Sequence, residues 1–159
     1  MNPFENKYSL AITAIAQEMA KAGDTEYRRQ EFDSAIEYYK SAIQYSPDYT
    51  TAYFKLARTY FKMKDYENTK IFLEQNLAVD PNQEQSEKML GDIYRGTGES
   101  EKAIEHYSLA ISINANYHQA YYSLGTTLLS KGDLEHAQIA LKFAIQLDSN
   151  YAKAYGALG

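Results

Sequence analysis

An all-helical chain arranged as a solenoid of helix pairs is expected from two observations. The sequence repeats itself every 34 residues without insertion or deletion, and each repeat carries two apolar stripes at helical spacing. A third observation supports them: 159 residues contain only three Pro, each of which would remove a hydrogen bond and add a clash inside a helix.

The pairs Asp48-Tyr49, Asn82-Gln83, Asn116-Tyr117 and Asn150-Tyr151 close blocks 16–49, 50–83, 84–117 and 118–151, leaving residues 152–159. Position 4 of the blocks is Met19, Tyr53, Glu87 and Tyr121, and position 7 is Ala22, Leu56, Leu90 and Leu124. Position 8 is Gly23, Ala57, Gly91 and Gly125; position 20 is Ala35, Thr69, Ala103 and Ala137. Position 24 is Tyr39, Leu73, Tyr107 and Leu141, and position 27 is Ala42, Asn76, Ala110 and Ala144. Position 28 is Ile43, Leu77, Ile111 and Ile145. One stripe runs through positions 4, 7, 8 and 11, the other through 17, 20, 21, 24, 27 and 28. Between them fall Gln30-Glu31, Lys64-Asp65, Gly98-Glu99 and Gly132-Asp133, and Pro47 and Pro81 mark the second break in the first two blocks. Each helix is then about 14 residues and roughly 21 Å long. Small residues at positions 8, 20 and 27 let the paired helices approach, because added bulk there would overpack the contact. The large residues at positions 24 and 28 are expected to fill the space between blocks.

The two ends differ. Phe4, Tyr8, Ile12, Ile15 and Met19 recur at three- and four-residue steps, so residues 1–15 read as an extension that caps the first repeat. Asn2 suits the N-cap, Pro3 the first helical position and Glu5 the capping box. Tyr8–Ala16 has the look of a signal-peptide core, but it is short, interrupted by Ser9 and Thr13 and preceded by Glu5. Helix is the better reading, and a cytoplasmic location the expectation. Residues 152–159 match positions 1–8 of a fifth repeat and then stop. Solenoids normally end in a polar-faced cap, so the sequence reads as a piece of a longer repeat protein.

The segments YSLGTTLLSKGDLEHAQIALKFAI (Tyr122–Ile145) and LGDIYRGTGESEKAIEHYSLAI (Leu90–Ile111) carry a specific resemblance. The chain resembles the tetratricopeptide repeat family over residues 16–151. That resemblance implies a right-handed superhelix whose first helices line a concave groove, facing it with positions 2, 5, 9, 12 and 13. Carried onto this chain, those positions give a partner-binding set of Tyr27, Arg28, Phe54, Arg58, Phe61, Lys62, Lys88, Arg95, Gln119 and Tyr122. Asp24 and Asp92 also fall there, leaving five basic and two acidic residues on a chain of net charge −5. Phe54, Arg58 and Phe61 follow one another by single turns, open to solvent unless something covers them. Large aromatics and Arg dominate binding hot spots, so the implied partner is a protein or peptide with apolar and acidic side chains. The family's clamp for acidic chaperone C-termini is missing, because its positions hold Ala20, Asp24, Lys55, Gln85 and Met89.

Other classes find little support. A net charge of −5 without a basic run argues against nucleic acid. There is no Cys, hence no disulfide or thiolate chemistry. No stretch approaches the roughly 20 apolar residues of a membrane span. His106, His118 and His136 fall at positions expected to face solvent, without metal-ligand spacing. Carboxylates such as Glu37, Asp65, Glu67 and Glu99 sit at outward or turn positions, and no acid–base pair with opposed environments stands out. Gly96 and Gly98 follow no strand, so they make no phosphate loop. The chain is therefore read as a protein-interaction scaffold, not an enzyme, with no cofactor and no metal. The alternatives are a scaffold that self-assembles through its terminal faces or N-terminal arm, and a non-catalytic repeat region of a larger enzyme.

Overall fold

The computed structural model describes residues 3–159, and for residues 3, 4 and 152 the backbone alone. Among the described residues there are nine α-helices and no strand. They form two compact units, Met1–Pro81 and Asn82–Gly159. The first holds α1 (Pro3–Arg28), α2 (Phe32–Tyr45), α3 (Thr50–Lys62) and α4 (Tyr66–Val79). The second holds α5 (Glu84–Gly96), α6 (Ser100–Ile113), α7 (His118–Lys131), α8 (Leu134–Leu147) and α9 (Ala152–Leu158). The architecture is a solenoid of antiparallel helix pairs.

Turn chemistry sets where each pair folds back. The left-handed residue after each first helix is Gln30 (φ 67°), Lys64 (62°), Gly98 (83°) or Gly132 (83°). The next residue's N–H then reaches back to a carbonyl of the last turn: Glu31 to Glu26, Asp65 to Tyr60, Glu99 to Tyr94 and Asp133 to Leu128, at 2.8–3.0 Å. These are Schellman closures, which satisfy otherwise orphaned carbonyls. Two second helices gain a side-chain cap as well. Asp65 accepts from the Asn68 N–H at 3.1 Å, and Asp133 from that of His136 at 3.3 Å, whereas Glu31 and Glu99 make no such bond.

The large residue at position 24 meets the next block, as Tyr39 does in one core with Ala52 and Leu56, and it also does something the sequence expectation left out. It fills the space against the small residue at position 8 of its own pair. A Cβ added to Gly23 would lie 2.6 Å from Tyr39, one on Gly91 2.6 Å from Tyr107, and one on Gly125 2.7 Å from Leu141. Each glycine therefore makes room for a ring or a Leu, and Gly125 also for the backbone of its partner helix, with the Ala137 carbonyl 3.2 Å from the added Cβ. Tyr39, Tyr107, Leu73 and Leu141 are all fully buried. In the second pair these two positions hold Ala57 and Leu73, one step larger and one step smaller, and both are fully buried.

Beside this core, position 11 stacks on position 23. Tyr60 lies on Phe72 with centroids 5.6 Å apart, and Tyr94 on His106 at 5.2 Å. Helix α1 outruns its partner α2. Ala16 and Ala20 are buried while Tyr8 and Leu10 are exposed, and the segment Tyr8–Ala16 is helical throughout. The Asn2 cap and the Phe4 side chain lie outside the described residues. No described helix is long and apolar enough to cross a membrane.

Candidate functional site

In the first unit, the α1–α3 side gathers Tyr27, Arg28, Arg58 and Lys62. Arg58 is half-buried, with its guanidinium 4.7 Å above the Tyr27 ring. Its Nε is shut off from solvent and has no hydrogen-bond partner. A buried donor left so costs about 1–3 kcal/mol, against about 0.5–2 kcal/mol returned by the cation–π contact. Arg58 is thus held by stacking, without a bond of its own. Its terminal nitrogens reach solvent and make no hydrogen bond among the described residues.

The nearby carboxylate is committed elsewhere. Asp24 accepts from the Tyr39 hydroxyl at 2.9 Å and pairs with Lys55. Burial, then the Asp24 carboxylate, pushes the Tyr39 phenol far above its ordinary value. Arg28 is exposed and donates to the Asp24 carbonyl at 3.2 Å. Lys62 is exposed at the rim of a cleft of about 440 Å³ that it shares with Tyr27, Gln30 and Phe32. Among the described residues, no carboxylate stands within ion-pair distance of Arg28, Arg58 or Lys62. Phe54 and Phe61, expected to be open, are half-buried, and Phe61 meets Tyr66 edge-on at 5.6 Å.

The second unit is balanced differently. Lys88 pairs with Asp92 at 2.7 Å, and Arg95 lies 4.0 Å from the same carboxylate. Asp92 also accepts from Tyr107 at 2.8 Å, repeating the Asp24–Tyr39 bond; burial, then Asp92, drives that phenol far up. Arg95 further donates to Thr126 on α7 at 3.4 Å. Gln119 is exposed at the start of α7. Tyr122 packs edge-on to Tyr151 at 5.3 Å, and burial with Asp92 and Glu84 pushes the neighbouring Tyr117 phenol up to about 12. Lys88 and Arg95, assigned with the other cations to an acidic partner, are therefore brought together around an acid of the chain itself.

Two histidines do not face solvent as expected. His106 Nδ1 is 2.7 Å from a Glu87 carboxylate oxygen, and Glu87 itself is 8% exposed. His118 sits edge-on to Tyr151 at 5.0 Å and 3.5 Å from Asp148. His136 alone is exposed, beside Asp133 at 2.9 Å. For His106 the reason is positional: position 23 lies beside positions 4 and 11 of the same pair. An acid at apolar position 4 with a His at position 23 of the same block was a readable signal for the Glu87–His106 pair. Sequence reading also missed an apolar hollow of about 370 Å³ over α7, walled by Ile104, Ile139 and Phe143 with Tyr121, Leu124 and Leu128 beneath. No cluster of metal-ligating side chains occurs among the described residues.

Comparison with known proteins bears on these arrangements. A family model described as TPR repeat matches residues 23–64 and 91–132, and one described as Tetratricopeptide repeat matches 50–83 and 118–151. No curated protein matches the sequence significantly. Among solved structures, a crystal structure of MamA shares 26% identity at a TM-score of 0.77, covering 86% of this chain and 80% of that one. The structure of pilF from Pseudomonas aeruginosa aligns at a TM-score of 0.84 with 14% identity, covering 93% and 68%. A thermophilic TPR protein of Thermus thermophilus aligns at 0.72 with 22% identity, covering 90% and 79%. The latter two likenesses are of fold alone. With a 34-residue pairing of helices, position-8 and position-24 packing, and family models covering most of its length, the chain belongs to the tetratricopeptide repeat family.

Proposed function

We propose that this interaction scaffold holds a short extended or helical segment of a partner protein against its first helices, without chemistry of its own. The contacts are Tyr27, Arg28, Phe54, Arg58, Phe61 and Lys62 in the first unit, and Lys88, Arg95, Gln119 and Tyr122 in the second. The observation that carries this reading is the concentration of unpaired positive charge beside half-buried rings on α1 and α3, in a chain of net charge −5. Folding does not require three cations there, and cations next to rings are what a partner with acidic and apolar side chains would meet.

The test is selection of peptides from a random library displayed on phage, using the full chain. Amide hydrogen exchange on complexes with the enriched peptides then locates the contact. Protection is expected on α1, α3, α5 and α7. Protection confined to second helices would refute the assignment. A second reading, self-assembly, is favoured by the exposed Tyr8 and Leu10 on α1 and the apolar hollow over α7. It predicts a mass that grows with concentration in light scattering.

A further inference from the structure

The first-helix cations are not equivalent, and the difference identifies what one of them is for. Lys88 and Arg95 share Asp92. Lys55 is paired with Asp24. Arg28 donates to a backbone carbonyl of its own helix. Arg58 alone among these combines a seat on an aromatic ring with a lack of bonded partners among the described residues: its guanidinium lies over the Tyr27 ring, its Nε is enclosed and its terminal nitrogens face solvent. An Arg serving the fold would spend its donors on a carboxylate or on carbonyls. This one is stacked in place with its outer fork unused.

We infer that Arg58 is a receptor for a side-chain carboxylate of the bound segment, with an apolar side chain of that segment seated in the adjoining cleft. This rests on the first-helix reading above and names the residue types it selects. A planar guanidinium offers two parallel N–H groups that match a carboxylate's two oxygens. The seat on Tyr27 holds the guanidinium in place before the ligand arrives, so less rotamer freedom is lost on binding. Tyr27 serves both halves of the site. Its ring carries Arg58, and it also lines the cleft of about 440 Å³ with Phe32, Gln30 and Lys62. Tyr27 and Phe32, tilted with centroids 5.5 Å apart, supply the apolar wall. Lys62 and Gln30 give a polar rim that leaves room for a solvated backbone. The recognised feature is therefore Asp or Glu close in sequence to a large apolar residue.

The phage-selected peptides provide the probe. Selection on the wild-type chain is expected to enrich an acidic residue next to an apolar one, and selection on Arg58→Gln to lose the acidic preference while keeping the apolar one. The best peptide should lose about tenfold or more in affinity on Arg58→Gln, and comparably on Arg58→Lys, which keeps the charge but not the fork. Its own Glu→Gln analogue leaves the protein untouched. It should bind wild type as weakly as the parent peptide binds Arg58→Gln, with no further loss when the two changes are combined. Lys40→Gln, on the outer side of α2, should change nothing. Enriched peptides that protect α1 and α3 but carry no carboxylate would overturn the Arg58 assignment alone. So would a Glu→Gln analogue that binds as tightly as its parent. Protection confined to second helices would overturn the first-helix reading with it.

Discussion

Replacing Gly91 with Ala tests the packing rule at the centre of each helix pair. In a helix interior Ala is favoured over Gly by about 1 kcal/mol, so propensity alone predicts a gain. Packing predicts the reverse. The new Cβ would stand 2.6, 2.7 and 3.1 Å from Cε1, Cδ1 and Cζ of Tyr107. That ring is fully buried, and its hydroxyl is tied to Asp92 at 2.8 Å, so it cannot swing aside without breaking the bond. Overpacking of this kind costs about 1–3 kcal/mol, and an anchored ring places it in the upper part of that range. The net loss should be about 1–2 kcal/mol, or roughly 2–8 °C in melting temperature for a chain of this size. Urea unfolding followed by circular dichroism would measure it. The second pair shows a different combination, with Ala57 and Leu73 at these positions, both fully buried. In a Tyr107→Leu background, where no hydroxyl bond to Asp92 anchors the side chain, the same Gly91→Ala change should cost less, so that the two substitutions couple by about 1 kcal/mol or more. A stabilised Gly91→Ala protein, or an equal loss in both backgrounds, would refute the idea that position 8 exists to admit position 24.

Two further outcomes follow from local geometry. Lys64 holds a left-handed φ of 62° where the third and fourth pairs use Gly98 and Gly132. Such a conformation costs an L-residue about 1–2 kcal/mol, against about 0.5–1 kcal/mol of added chain entropy for Gly. Lys64→Gly should thus stabilise by about 0.5–1 kcal/mol in a thermal melt, and Gly132→Ala should destabilise. The phenols of Tyr39 and Tyr107 are raised by burial and by Asp24 and Asp92. A group raised in the folded state contributes stability that is complete below its unfolded value, near 10, and is lost as pH rises through the folded one. Absorbance titration should show these two of the sixteen Tyr ionising last, together with the loss of helical signal; ionisation in step with exposed Tyr would contradict the burial argument.

What was legible in the sequence, and what was not, divides along a physical line. Periodicity and turn residues depend on near neighbours in the chain, so the helix pairs, the breaks at Gln30, Lys64, Gly98 and Gly132, and the extended α1 could be read directly. Contacts between elements could not. The Gly91–Tyr107 contact spans 16 residues, and a repeat table shows two columns without saying which faces which. Glu87 is the exception, since it stands out among Met19, Tyr53 and Tyr121 as a carboxylate at an apolar position that requires a partner, and His106 supplies it at 2.7 Å.

The candidate site obeys the same division, and the exception within it is instructive. Counting charges by position puts Arg28, Arg58, Lys62, Lys88 and Arg95 in one class, because all occupy the first helices. Geometry separates them by what already holds each one. Residues at positions 8, 9 and 24 are bound to one another by the needs of the fold, as Asp24 with Tyr39 and Asp92 with Tyr107 show. At position 9 of the second block Arg58 replaces that Asp, and Leu73 replaces the Tyr that would have bonded it. The substitution removes a hydrogen bond that the first and third pairs possess and leaves a guanidinium stacked on Tyr27 of the preceding repeat. In a repeat protein each block is a control for the others. The second block gives up a bond that the first and third keep, as the fourth does with Thr126 and Leu141, but the second alone puts a charged group in its place, and the proposal for Arg58 rests on that difference.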